Sequence, residues 1–377
     1  MRVLHTSDWQ LGMTRHYLDA EDQGRFAQAR VDAIRRLGEL AAAEECACMV
    51  VAGDVFETHH PDARTVQRTL DALRGVPVPV YLLPGNHDPI GPGSVWRSTV
   101  FRDRCPDHVE VLNDRRPRVP VEGLEVLGAP WTSKQPLADL TAEVCEAAPA
   151  DGACRIVVGH GSVAEVAGGF AAAGTIDLSR VTRATEEGRV RYVALGDRHS
   201  CTRVDAAGHV WYSGAPEPTD YDEVDPGTAL VVDLGHTVPV VTRHEVGTWR
   251  FHRIHREVAG AEDLDALAAD LDRLEQPERA IVKVSVTGTL DLAQATRLDE
   301  LLATRALAVA ALEHADRHRD LAVVVTEADV AALPLTGYAA LARDRLLATA
   351  QAGGPEGEVA TDALALLLRL ADQGTSG

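Results

Sequence analysis

Several features that would place the chain quickly are missing. The six cysteines, Cys46, Cys48, Cys105, Cys145, Cys154 and Cys201, form no CxxC pair and no finger-like quartet, so a zinc ribbon is excluded and reduced core thiols are the reading. Six thiols in 377 residues are also too sparse for a disulfide-stapled scaffold. Apolar runs are short. The richest, residues 363–368, stops at Arg369, well below the ~18 residues of a membrane span. The opening residues reach Asp8 too early for a secretory leader. These absences predict a soluble, cytoplasmic protein with no membrane partner. A basic excess is missing too: 57 acids oppose 37 bases for a formal charge of −20, and lysine occurs only at Lys134 and Lys283. Any binding to DNA must therefore use a local patch against an unfavourable global field.

What is present is an α/β alternation long enough for two or three domains. Residues 2–6, 48–52 and 78–83 read as buried strands. A long amphipathic helix over 22–45 and a second over 62–73 follow the first two strands. Further strands are expected at 109–112, 124–128, 155–158, 192–195 and 228–234, with 209–213 as the second arm of a hairpin. Composition shifts near residue 245. Beyond it lie a leucine-spaced helix, a strand at 280–286, a long helix over 292–314 and an apolar run at 321–326. Residues 351–360, with Gly353, Gly354, Pro355 and Gly357, read as a linker, and 362–371 as a short amphipathic helix. The expected domains are 1–245, a smaller α/β unit over 246–350, and a linker with terminal helix over 351–377.

Five short stretches stand at or just after strand ends, where open α/β sheets place their functional groups. They are Ser7-Asp8-Trp9-Gln10, Gly53-Asp54-Val55-Phe56, Gly85-Asn86-His87-Asp88, Gly159-His160-Gly161 and Gly196-Asp197-Arg198-His199. One Gly-Asp alone is usually a turn, and one buried histidine is usually a satisfied core residue. Five such stretches after successive strands supply oxygen and imidazole donors together, the mixture that holds hard to borderline divalent ions. A pair of such ions clamps the attacking and leaving oxygens of a phosphoryl transfer.

This order of motifs over residues 1–200 resembles the calcineurin-like metallophosphoesterase superfamily and, within it, the SbcD-type DNA repair nucleases. The segment Tyr212-Ser213-Gly214-Ala215-Pro216-Glu217 extends the similarity. The resemblance implies a layered β-sandwich with flanking helices, followed by a smaller capping-like α/β domain. It implies two divalent ions, manganese first and magnesium second. Asp8, Gln10, Asp54 and His199 would hold one, and Asp54, Asn86, His160 and Asp197 the other, with Asp54 as the bridge. His87 would stand beside the scissile phosphate as proton donor, and Asp88 would orient it. The implied partners are DNA, as single strands or duplex ends, an SMC-like ATPase subunit and a second copy of the chain.

Gln10 and Asp197 depart from the nuclease pattern, which has histidine at both places. Asp197 exchanges a neutral nitrogen for an anionic oxygen, which favours hard ions. The alternative is that Asp197 points away from the centre. His59 and His60 lie near the second motif at a spacing that does not match. Arg15, Arg64, Arg68, Arg97, Arg102, Arg104, Arg198 and Arg203 surround the motifs and are the candidates for a DNA groove. The expected activity is metal-dependent hydrolysis of DNA phosphodiesters. A small-molecule phosphodiesterase or nucleotide pyrophosphatase is the first alternative, and a catalytically weak scaffold for the ATPase the second.

Overall fold

The computed structural model describes residues 1–164, 174–314, 321–324 and 337–374. It divides into two units, Met1–Trp249 and Arg250–Gly377. In the first unit the β-branched runs pair into two six-stranded sheets. One contains β1 (Arg2–Thr6), β2 (Cys46–Val51), β3 (Val80–Leu82) and β4 (Val109–Val111), all parallel, with β11 (Thr228–Asp233) and β12 (Val240–Glu245) added antiparallel beside β1. The other runs in the order β5 (Arg118–Val121), β6 (Leu124–Gly128), β7 (Cys154–His160), β8 (Tyr192–Gly196), β10 (Val210–Tyr212) and β9 (Thr202–Arg203). Here β6, β7, β8 and β10 are parallel, and β9 with β10 forms the expected hairpin.

Side-chain alternation along the strands builds the layers. Val3, Cys48 and Val50 face Val126, Ile156 and Val158 of the second sheet in one buried cluster. Leu4, Met49 and Val51 turn the other way, onto α1 (Ala20–Ala43) and α2 (Ala63–Leu73). On the far side, Val157 and Val193 pack under α4 (Leu140–Ala147) and α5 (Leu178–Glu186). A short α3 (Thr99–Arg104) completes the helices of this unit. The first unit is thus a β-sandwich with helices on both outer faces. Asp19 and Asp62 start α1 and α2 as side-chain caps, accepting from Asp22 and Thr65 N–H at 2.8 and 2.9 Å. Because β1, β2 and β3 are parallel neighbours, as are β7 and β8, their C-terminal ends emerge together.

The second unit pairs β13 (Arg250–Val258), β14 (Ala280–Asp291), β15 (Ala311–His314) and β16 (Leu321–Val324), all parallel to β14. Helices α6 (Ala261–Asp272) and α7 (Leu292–Ala306) cover it through Leu264, Leu267, Leu298 and Leu302. The helix expected over 292–314 therefore stops at Ala306. Residues 311–314 pair with Ile281–Val284 instead, a long-range gain that an alanine- and leucine-rich run does not advertise. The expected linker at 351–360 is also revised. Helix α8 (Tyr338–Ala352) turns at Gly353 and Gly354, both at positive φ, directly into α9 (Gly354–Gly374). Pro355 sits in the first turn of α9, where its missing N–H costs no hydrogen bond. The end of the 321–326 run lies outside the described residues. Among the described residues, no helix is long and apolar enough to cross a membrane.

Candidate metal centre

The first two motif loops are zipped to each other by backbone hydrogen bonds. Asp8 N–H donates to Gly53 C=O and Gln10 N–H to Asp54 C=O, each at 3.0 Å, and Leu11 and Phe56 form a further parallel bridge. The chain pays a conformational cost here. Asp8, Gln10 and Asp54 have φ of 52°, 45° and 51°, and Asp197 has 97°. Such values are uncommon for residues with a side chain, and they cluster where function over-determines the backbone. Two glycines permit the close approach. A Cβ on Gly53 would fall on the His160 ring, and one on Gly85 on the Asp54 carboxylate.

Asp8, Asp54 and His160 are all buried, and each offers a ligand atom within 4.8 Å of the others. Nδ1 of His160 lies 2.8 Å from the Ala52 carbonyl, so the proton belongs there and Nε2 keeps its lone pair. That Nε2 faces Asn86 Oδ1 at 2.7 Å, Asp54 Oδ1 at 3.5 Å and Asp197 Oδ1 at 3.8 Å. On the other side His199 Nε2 lies 2.9 Å from the Gln10 amide nitrogen and 3.9 Å from Asp8 Oδ1. Oε1 of Gln10 is buried with no hydrogen-bond partner. Donor atoms thus converge with their lone pairs directed at one another, a set that fits divalent cations.

The electrostatics point the same way. Burial pushes the Asp8 carboxyl up to about 6, against the pull of His199 and His160. Burial also opposes ionisation of Asp54, but the imidazoles of His160 and His87 outweigh it and hold that carboxyl below its ordinary value. For His160, desolvation is overcome by Asp54, Asp8 and Asp197, and its pKa rises well above the usual imidazole value. Desolvation of His199 is likewise overcome, by Glu223 and Asp8. Carboxylates in this density call for positive charge, from protons or metal ions.

All seven residues expected as ligands therefore face one region. Asp197 does not turn away: its carboxylate lines the cavity of about 460 Å³ with Gln10, Asp54, Asn86, His87 and His199. Its N–H donates to the Asp8 carboxylate at 3.1 Å. His87 is also at this cavity, with Nε2 3.9 Å from Asp54 Oδ2. The expected role of Asp88 requires correction. His87 Nδ1 is held at 2.8 Å by the Glu57 carbonyl, not by Asp88. The Asp88 carboxylate is fully buried and accepts from the Gly85 and Phe56 N–H groups at 2.7 and 3.0 Å. Burial, with Asp54 nearby, raises its pKa to about 7. A tight turn in Gly-Asn-His-Asp folds the carboxylate back onto its own loop, out of reach of the imidazole. His59 and His60 pack on each other at 4.6 Å and are not among the cavity-lining residues. Of the eight arginines, only Arg15 and Arg198 line it.

The supporting residues were not visible as a motif. Arg30 of α1 is buried over the Phe26 ring and donates to the carbonyls of Trp9, Glu217 and Pro218 at 3.4, 3.3 and 2.8 Å. Burial lowers its pKa to about 10 despite Glu217. It ties the first motif loop to residues 217–218. The Glu217 carboxylate in turn accepts from the N–H groups of Thr248 and Trp249. Periodicity marks position 30 as inward-facing, but only the three distant carbonyls explain why an arginine fits there.

A family model described as calcineurin-like phosphoesterase matches residues 1–239. The SbcD subunit of the nuclease SbcCD from Rhodobacter capsulatus is 28 % identical over 330 residues, covering 74 % of this chain and 77 % of the relative. The Bacillus subtilis protein of the same name is 33 % identical over 92 residues, 23 % of this chain and 22 % of that one. Among solved structures, TT1561 of Thermus thermophilus aligns with a TM-score of 0.41 and 13 % identity, over 65 % of this chain and 98 % of that chain. A dimetal phosphatase from Danio rerio aligns with a TM-score of 0.42 and 11 % identity, over 64 % and 98 %.

Proposed function

The chain belongs to the calcineurin-like phosphoesterase family, and from that premise we propose that it is a metal-dependent phosphodiesterase acting on DNA. The observation that carries this reading is the convergence of Asp8, Asp54 and His160 within 4.8 Å, with Asn86 against His160 Nε2 and the unpartnered Gln10 Oε1 nearby. In this reading Asp8, Gln10, Asp54 and His199 hold one divalent ion. Asp54, Asn86, His160 and Asp197 hold a second, with one Asp54 oxygen for each. An oxygen-rich set of this kind suits manganese or magnesium. Bound ions supply positive charge for the pentacovalent phosphorus and activate the attacking water.

The protein's own groups do the rest. His87, fixed through Nδ1 to the Glu57 carbonyl, delivers a proton from Nε2 to the departing sugar oxygen. Asp54 Oδ1 accepts the His87 N–H at 2.9 Å, so the same carboxylate that serves the ions also sets the distance of the proton donor. Arg15 and Arg198, at the cavity wall, meet flanking phosphates. The names of the relatives, SbcD subunits of the nuclease SbcCD, support single strands and duplex ends as substrates, an SMC-like ATPase as partner and a cytoplasmic role in DNA repair.

The test is cleavage of labelled single- and double-stranded DNA by the purified chain with and without manganese, alongside elemental analysis. Manganese-dependent cleavage that vanishes in Asp54→Ala and His87→Ala supports the reading. A protein that carries the ions and leaves every DNA intact overturns it. One observation favours a second substrate class: Glu57, Asp220, Asp222 and Glu223 also line the cavity, and that acidity opposes a polyanion. Cyclic and diphosphate nucleotides in the same assay decide between a nuclease and a small-molecule phosphodiesterase.

A further inference from the structure

We propose that Thr219 and Glu223 form a hydrogen-bond relay that fixes the His199 ring with its Nε2 lone pair toward the cavity, making both of them positioning residues of the metal centre. The proposal rests on the metal-binding reading above and deepens it. His199 Nδ1 lies 2.6 Å from Thr219 Oγ1. The Thr219 hydroxyl makes a short hydrogen bond to Glu223 Oε1. The Thr219 N–H adds bonds to both carboxylate oxygens, at 3.0 and 3.1 Å. Thr219 is buried, and the Glu223 side chain is 6 % exposed.

The chemistry of the groups gives the chain a direction. A carboxylate only accepts, so the Thr219 proton points to Glu223. The threonine oxygen is then left with lone pairs, and its remaining close partner, His199 Nδ1, must donate. A ring carrying its proton on Nδ1 presents Nε2 to Gln10 and Asp8. Histidine ligands are commonly fixed in this way through the nitrogen that does not meet the metal. His160 obtains the same result from a backbone group, the Ala52 carbonyl. His199 obtains it from two side chains, so only this half of the centre can be disabled without touching a ligand. The relay segment is itself anchored: Arg15 donates to the Thr219 carbonyl, and Val224 N–H donates to Ser200 Oγ at 2.9 Å.

The experiment uses the full chain in two measurements. Long-range proton–nitrogen-15 correlation of the histidine rings at pH 8, without metal, reads the His199 tautomer. Electron paramagnetic resonance titration with manganese reads affinity. The wild type and Thr219→Ser should carry the proton on Nδ1 and bind manganese within about threefold of each other. Thr219→Val, which keeps the shape and loses the acceptor, should show a mixed or reversed tautomer and about 10- to 100-fold weaker binding at one site. Glu223→Gln, which can donate where Glu223 only accepts, should lose about tenfold, and it decides the matter if Thr219→Val does not fold. Unchanged tautomer and affinity in Thr219→Val, or in Glu223→Gln when that variant decides, overturn the relay and leave the metal reading standing. A wild type that binds no manganese overturns the metal reading, and the relay with it.

Discussion

The Asp88 carboxylate accepts the Phe56 N–H at 3.0 Å and so ties the loop that carries His87 to the loop that carries Asp54. Its second oxygen takes the Gly85 N–H at 2.7 Å. Asp88→Ala leaves two buried donors unpaired and should cost roughly 2–4 kcal/mol, measured by urea denaturation. Catalysis should fall as well, although the direct hold on His87, the Glu57 carbonyl, is untouched. A variant as stable as the wild type would show that water or a shifted loop satisfies both groups.

Asp54 faces His160 at 3.5 Å and His87 at 3.9 Å. Asp54→Ala should therefore lower metal-supported phosphodiester cleavage roughly a thousandfold or more, since it withdraws charge stabilisation worth several kcal/mol. Hydrolysis of bis(p-nitrophenyl) phosphate measures this without depending on which natural substrate is correct.

Asp197 brings an anionic oxygen to within 3.8 Å of His160 Nε2. Asp197→His should weaken manganese and magnesium binding by about tenfold and shift preference toward softer ions. Isothermal titration of both proteins with each metal is the check. Equal affinities would remove Asp197 from the ligand set.

His5 supplies a pH dependence away from the ligands. It is fully buried between Tyr192 Oη at 2.9 Å and the Leu195 carbonyl at 3.2 Å. Burial, only partly offset by that carbonyl, lowers its pKa to about 3. The unfolded chain takes up this proton near pH 6.5 and the folded chain does not, so stability falls as pH drops from 6.5 toward 3, by up to about 1.4 kcal/mol per unit. Between pH 7 and pH 5 the wild type should lose about 2 kcal/mol more than His5→Gln, read from urea midpoints in matched buffers.

The strands and their glycine-led loops were legible because burial on both faces writes continuous β-branched runs, and because Gly-Asp and Gly-Asn-His-Asp place donors at strand ends. Legibility failed where long-range partners decide. Residues 311–314 look helical until β14 offers them a pairing edge, and Gly353 and Gly354 look like a linker when they are one tight turn between helices. Asp88 was assigned to its neighbour in sequence, yet it serves Phe56, thirty-two residues away. Arg30, Thr219 and Glu223 carry no local signature, since each is defined by what a distant segment brings to it.

The Leu11–Phe56 bridge continues the pairing of β1 and β2 beyond Asp8 and Asp54. Those two carboxylates are consequently borne on inner rungs of a ladder rather than on free loop tips, and their amide protons should exchange with solvent about as slowly as those of the strands themselves. A scaffold so laced cannot reshape its floor for each new guest. Diversity of guests must be accommodated at the rim, where Arg198 and Asp220 stand.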